Sequence, residues 1–443
     1  MMAQLTSDSV VLPPGVTLPR IVQGAAIVID RPRALEYARR RFGPVFSVSL
    51  PLFGDSVVVS EPGAIKELFT AGELVETVTN LGDVIGPGSS FSLNGAPHLA
   101  RRKLLMPPLH GKRMPLYQQI IEEEVARELS SWPVGTPFAT LPSMMRITLN
   151  VILRAVFGAD GPELAALREI LPPAVLLASR LTVLPPALRR DLGRWSPWGR
   201  LERMRRECDE LIDTLIQRAK AAPDLDKRTD VLAMLVAARD EDGRPIPDDH
   251  IVDELQTLLA AGHETTATTL AWAVERLRRH PDVVAKLVAD IDAGGSDLLQ
   301  ATVWEVQRSR PVIPLVLRVT TGRMRLGDWV LPKGHTVIAS IALSHSSSAN
   351  YTDPARFDPT RFLDSKPDTS AWIPYGGGFR RCVGAAFANN EMLITLRELL
   401  RRYTLEPTNE PDEKPKSRGI ANAPASGAVA VVHRRSAPPR SGS

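Results

Sequence analysis

The chain has 443 residues, of which 44% are hydrophobic and 23% charged, and its formal net charge is +4. A chain of this make-up buries a large core without cross-links, and the charge is too small to argue for a nucleic-acid partner. Two cysteines, Cys208 and Cys382, exclude a disulfide framework, a four-cysteine zinc site and a four-cysteine iron–sulfur cluster.

In chain order, residues 1–20 are polar and then proline-rich, without the basic segment and apolar run of a signal peptide. The most apolar early stretch, 24–29, is too short to cross a bilayer. A cytoplasmic protein without a transmembrane segment is expected. Residues 32–42 read as a helix, 45–50 and 56–60 as strands around Phe53-Gly54-Asp55, and 62–70 as a short helix. Apolar residues at helical spacing then mark 114–133, 138–158, 162–181 and 198–222. The longest helical pattern is 248–280, with Asp248 or Asp249 as a possible cap and no proline before Pro281. Its apolar residues lie on several sides, so it should be central. Strands return at 315–320 and around 329–341. Residues 353–374 are coil-rich, 383–403 helical, and 418–433 a terminal hairpin. The expectation is one mainly α domain with small β-sheets over 1–435, a disordered tail at 436–443, and a monomer.

The strongest chemical signal is the decapeptide from Tyr375 to Gly384, which contains Gly376-Gly377-Gly378, Arg380, Arg381 and Cys382. Successive glycines allow backbone shapes, and an approach to a flat ligand, that side chains would forbid. Flanking arginines and a helix start just after the cysteine both favour a thiolate. A second signal is Ala261-Gly262-His263-Glu264-Thr265-Thr266 in the middle of the long helix, where an acid and a hydroxyl are costly without partners. A third is Glu305-x-x-Arg308, one face of a helix.

The decapeptide resembles the haem-binding loop of the cytochrome P450 monooxygenases, phenylalanine-x-x-glycine-x-arginine-x-cysteine-x-glycine, with Tyr375 where the family usually has phenylalanine. The resemblance covers roughly residues 90–390 in the family's order. It implies a triangular prism crossed by one long helix, with haem b (iron protoporphyrin IX) held by Cys382 as axial ligand. Arg380 would pair with a propionate, Gly378 belongs to the loop, and Gly384 would leave room for the helix under the ring. Tyr375 would pack near the sulfur, where its hydroxyl could alter the reduction potential. His98-x-x-x-Arg102 and Arg318 match further propionate partners. Ala261 and Gly262 match the helix over the distal face, where Gly262 would let dioxygen sit close. Thr265 would steady bound oxygen by a hydrogen bond, Glu264 would relay protons, and Thr266 is structural. Glu305, Arg308 and Arg361 would form a buried ion network that fixes the cysteine loop.

The implied activity is insertion of one atom of dioxygen into an apolar substrate, lipid-, steroid- or terpenoid-like. Electrons from NAD(P)H would arrive through an external ferredoxin and ferredoxin reductase, docked on charge alone around Arg101, Lys103, Lys112, Arg113 and Arg381. The pocket would be roofed by residues 171–188 and lined by 78–93, including Phe91, and 312–317. The rival readings are a haem-thiolate peroxygenase, dehydratase or isomerase, and a non-enzymatic haem sensor or carrier.

Overall fold

The computed structural model describes residues 4–6, 8–77, 82–158, 160–182, 184, 189–193, 195–240 and 242–435. The expected tail at 436–443 lies outside them, as does part of the expected roof, including Pro185 and Pro186.

The long helix spans Asp248–Arg279, 32 residues, or roughly 48 Å at the α-helical rise. Leu255, Leu259, Leu270, Ala271, Trp272 and Val274 are all buried along it, because it is enclosed on several sides. It packs most extensively against Leu141–Phe157, and also against Pro197–Ala221, Asp297–Ser309 and Ala385–Arg402. Side chains from these helices form one continuous core. Neither aspartate caps the long helix: Pro247 occupies the cap position. The Asp248 carboxylate is taken instead by Lys220 and Gln217, which donate to it from the neighbouring helix.

A five-stranded sheet lies to one side. Val45–Leu50 pairs antiparallel with Gly54–Val59, which runs parallel to Thr336–Ser340; Leu315–Thr320 follows antiparallel, and Val75–Glu76 closes the edge. Val57, Val58 and Val59 are wholly buried, because this strand has packing on both faces. Residues 32–42 belong to a longer helix, Arg20–Phe42, kinked at Asp30 beside Pro32.

The C-terminal hairpin is shorter and earlier than expected. Pro415–Ser417 pairs with Asn422–Pro424, while Val429–Ala430 and Val432–Arg434 join Phe138–Ala139 and Tyr403–Leu405. Trp272 of the long helix donates its indole N–H to the Asn422 carbonyl at 3.0 Å, which sets the hairpin against that helix.

Candidate active site

The loop before Ala385–Arg402 folds as its glycines allow. Gly376 and Gly378 take left-handed backbone, φ 63° and 67°, which a side chain disfavours. Gly377 and Gly378 lie flat on Phe69 of the helix Pro62–Thr70, where a Cβ on either would overlap Phe69. On that side their close approach is to a neighbouring helix. The Cys382 N–H donates to the Tyr375 carbonyl at 2.9 Å and the Arg381 N–H to Gly378 at 3.1 Å, closing the loop.

Cys382 has accessible surface, with many protein atoms around its sulfur. A Cβ on Gly384 would meet nothing within 4 Å, so this residue borders open space. Burial pushes the Cys382 thiol up; the Gly384 amide, then Arg381 and Arg102, pull it back only in part. The expected low-pKa thiol is thus corrected: desolvation outweighs the neighbouring charges, and Arg380 is not among the groups acting on the sulfur. A coordinated metal would supply the missing positive charge.

Arg318 is 7% exposed, and the hydrogen bond described for its guanidinium is to the Leu317 carbonyl at 2.8 Å. Burial, and then Arg380, push it down to about 10. Arg380 donates to Asn94 Oδ1 at 2.6 Å, to the Leu93 carbonyl and to the Ser90 carbonyl. Its Nε has no partner, and burial pushes it down to about 10, opposed by Glu76 at longer range. His98 sits beside it, with Nδ1 3.0 Å from the Ser90 carbonyl and Nε2 3.4 Å from that of Phe379. Burial and then Arg380 hold its pKa down. Burial pushes Arg102 down, opposed by Cys382 and reinforced by Arg381.

Among the described residues no carboxylate pairs with Arg318 or Arg380. Buried charge without a counter-ion is costly, and a ligand bearing two carboxylates would remove that cost. An accessible thiol, open space at Gly384 and two guanidinium groups without a paired carboxylate among the described residues fit the implied haem.

On the long helix, Ala261, Gly262 and Thr265 are half-buried, while His263, Glu264 and Thr266 are buried. Thr265 Oγ1 donates to the Ala261 carbonyl at 2.7 Å, a back-bond that bends helices and leaves the hydroxyl oxygen free to accept. The open side of Gly262 meets Ile152 of Leu141–Phe157, with 3.1 Å to a built Cβ. On that side this glycine allows close helix packing. Glu264 receives Arg418 Nε at 2.6 Å from the turn of the C-terminal hairpin. His263 packs the other way, its carbonyl accepting from Thr148 Oγ1 at 2.8 Å, and burial followed by Arg418 holds it down to about 4.

The three ion-network residues come together. Arg308 donates Nε and Nη2 to the two oxygens of Glu305, both at 2.7 Å, and Arg361 Nε lies 3.2 Å from Glu305. Arg308 also donates to the carbonyls of His345, Pro354 and Arg356. The path to the cysteine loop runs through His345, whose Nδ1 faces the Arg308 carbonyl at 3.2 Å and whose Nε2 accepts from the Ile373 N–H at 2.9 Å. Tyr375 joins the same helix, accepting at its hydroxyl from Gln307 Nε2 at 2.8 Å.

Sequence reading missed Arg418, His345, Gln307 and a second buried charge cluster. Glu254 accepts from Ser90 N–H and Oγ, both at 2.8 Å, and from Arg101 at 3.2 Å, while Asp253 accepts from Gly88 N–H at 2.9 Å. These bonds pin residues 88–90 to the long helix. They also correct the expected docking face, since Arg101 is 8% exposed and points inward. An acid about three turns before the Glu264-Thr265 pair was the available signal. A cleft of about 670 Å³ near Arg276, Lys286 and Arg356 is remote from Cys382; there Arg276 and Arg279 are paired with Glu275 and Asp412.

A family model described as Cytochrome P450 matches residues 13–431. Similar curated proteins include the one designated cytochrome P450 138 of Mycobacterium tuberculosis H37Rv, 50% identical over 427 residues, covering 96% of this chain and 97% of that protein. The one designated cytochrome P450 135B1 of the same organism is 40% identical over 436 residues, covering 95% and 91%. Among solved structures, a retinoic acid-bound cyanobacterial CYP120A1 superposes with a TM-score of 0.84 at 23% identity, covering 96% of this chain and 100% of that one. The haem domain of cytochrome P450DA gives 0.80 at 22%, covering 96% and 98%. Described helices include none long and apolar enough to cross a membrane.

Proposed function

This chain belongs to the cytochrome P450 family and is a haem-thiolate monooxygenase; from that premise we propose that it oxidises an apolar organic molecule, lipid-, steroid- or terpenoid-like, with electrons from a separate ferredoxin and its reductase. The observation that carries the residue assignment is the pairing of a buried guanidinium, Arg318, with a half-buried one, Arg380, neither ion-paired to a carboxylate among the described residues, beside an accessible thiol. Cys382 would hold the iron, and Arg318, Arg380, His98 and Arg102 would take the two carboxylates.

When bound, the haem supplies reductive use of dioxygen and delivery of one oxygen atom to the substrate. The chain's residues set the conditions. Thr265, its own proton given to the Ala261 carbonyl, offers an acceptor on the half-buried stripe of the long helix. Glu264 is the nearest acid in the chain and relays protons; the Arg418 guanidinium fixes where its carboxylate waits. Half-buried apolar residues at 174–178 and 315–317 support an apolar substrate and a site that excludes water.

The test is spectroscopic first. The reduced protein should give the red-shifted carbon monoxide band of a thiolate ligand, and Cys382→Ala should lose it while still folding; a surviving band overturns the ligand assignment. A spectral screen of apolar ligands, followed by product mass with NAD(P)H and a ferredoxin pair, tests the rest. Turnover with peroxide alone would overturn the electron route.

A further inference from the structure

The helix Arg20–Phe42 carries a surface that the reaction does not use. On its first half Ile21, Val22, Val28 and Ile29 are 80%, 47%, 86% and 82% exposed, and Ala25 and Ala26 are exposed with them. At ~100° per residue the six fall within an arc of roughly 160°, and no polar side chain interrupts it. The opposite side is the one the protein covers. Gln23 is buried there, donating to the Val16 and Leu18 carbonyls at 3.1 and 2.7 Å and accepting from the Ser49 N–H at 2.9 Å. A Cβ on Gly24 would come within 2.7 Å of Pro51. The usual polarity of a surface helix is therefore reversed on this half, and single exposed apolar residues would need no explanation where a contiguous face does.

Charge says what the face meets. Past the kink at Asp30, the exposed residues are Pro32, Arg33, Tyr37, Arg40 and Arg41. The helix holds six arginines (20, 31, 33, 39, 40 and 41) against Asp30 and Glu36, a net +4, equal to the net charge of the entire chain. A second copy of this chain in a symmetric pair would set +4 against +4. An anionic lipid surface accepts both parts, apolar side chains among the acyl groups and arginines at the headgroups. The apolar stretch is too short to span a bilayer, which leaves the helix lying in the interface.

We propose that Arg20–Phe42 is a docking face for an anionic membrane surface, with Ile21, Val28 and Ile29 inserted and Arg33, Arg40 and Arg41 at the headgroups. The experiment is flotation of the haem-loaded full chain with vesicles of phosphatidylcholine alone or mixed with phosphatidylglycerol. The protein should float with the mixed vesicles, less with phosphatidylcholine, and less again at high salt. Combining Ile21→Ser, Val28→Ser and Ile29→Ser should lower binding to the mixed vesicles about tenfold or more. Arg40→Gln with Arg41→Gln should remove most of the preference for phosphatidylglycerol. Both variants should keep the melting temperature of the parent, since they alter exposed positions. The proposal is overturned if the parent stays off the mixed vesicles, or if the serine variant floats as well as the parent. It is equally overturned if the parent sediments as a dimer that the serine substitutions dissociate, which would make the face a contact between copies.

Discussion

Replacing Arg418 by Gln removes the guanidinium that holds Glu264. The bond is 2.6 Å long, and the side chains are 30% and 8% exposed. A hydrogen bond to a charged group contributes about 1.5–3 kcal/mol, and the exposure of Arg418 places this one toward the lower end. A double-mutant cycle of Arg418→Gln and Glu264→Gln, read from urea unfolding of the haem-loaded protein, should give a coupling of about 1–2 kcal/mol. The hydrogen bond that sets the hairpin against the long helix, from Trp272 to the Asn422 carbonyl, is untouched by either substitution. The second readout is the share of NAD(P)H electrons recovered as product. If Arg418 fixes the carboxylate where it can serve Thr265, that share falls in Arg418→Gln and in Thr265→Ala, with substrate binding little changed. A coupling below ~0.3 kcal/mol would mean that the two residues act independently, and unchanged product yield in Arg418→Gln would remove it from the proton path.

Glu305→Ala should be among the most damaging single changes, because it leaves Arg308, 2% exposed, uncompensated in the core. A loss of about 3–5 kcal/mol is expected, measured by urea midpoint and by haem retained after gel filtration; a loss below ~1 kcal/mol would deny the bracing role. Tyr375→Phe should cost about 1 kcal/mol by freeing Gln307 Nε2. Its reduction potential should move by less than about 59 mV, one tenfold change in a one-electron equilibrium, because the hydroxyl is committed to Gln307; a larger shift would show that it reaches the sulfur. Acid sensitivity follows from His345 and His263, which burial holds down to about 3 and about 4 from the ordinary 6.5. Unfolded histidine binds the proton first, so their contribution is whole above pH 6.5 and is lost as the pH falls toward those values. Each should add a slope of about 1.4 kcal/mol per pH unit within its window, and His345→Gln should flatten the fall of the urea midpoint between pH 6.5 and pH 4.

The parts of this site that were legible share one property: their signal lies within a few residues. The long helix announces itself through many turns of apolar spacing, the cysteine loop through three glycines and two arginines, and Glu305-x-x-Arg308 through a single helical step. What was illegible depends on partners far away in the chain. Arg418 reaches Glu264 across 154 residues, from strands of three residues each, too short for alternation to register. The terminal strands Val429–Ala430 and Val432–Arg434 read as a hairpin because they are extended, yet each pairs elsewhere, with partners that only the folded core supplies. Competition explains the Asp248 cap: a lysine on the next helix offered the carboxylate a full charge, where the helix end offered a partial one. The thiol was misjudged for a similar reason, since neighbouring charges can be read from sequence and the amount of protein packed around the sulfur cannot.

The buried ion pairs have a common arrangement that argues for geometry over stability. Arg101–Glu254 pins residues 88–90 to the long helix, Arg418–Glu264 pins the terminal hairpin to it, and Arg308–Glu305–Arg361 pins the coil around 345–361 ahead of the cysteine loop. In each case a segment with few apolar residues of its own is fixed by a charge on a well-packed helix. Buried pairs are seldom more stable than apolar packing of the same volume, but they tolerate only one alignment. Three irregular segments packed on these helices need that restriction, because loop backbone alone would allow their positions to vary. Apolar replacement of a whole pair, such as Arg101→Met with Glu254→Leu, should therefore keep the melting temperature closer to that of the parent than either single change does. It should also weaken binding of apolar ligands and broaden their selection. Equal stability loss in the double and single variants would mean that the charges hold the fold itself, and unaltered ligand selection would mean that residues 88–90 are positioned by packing alone.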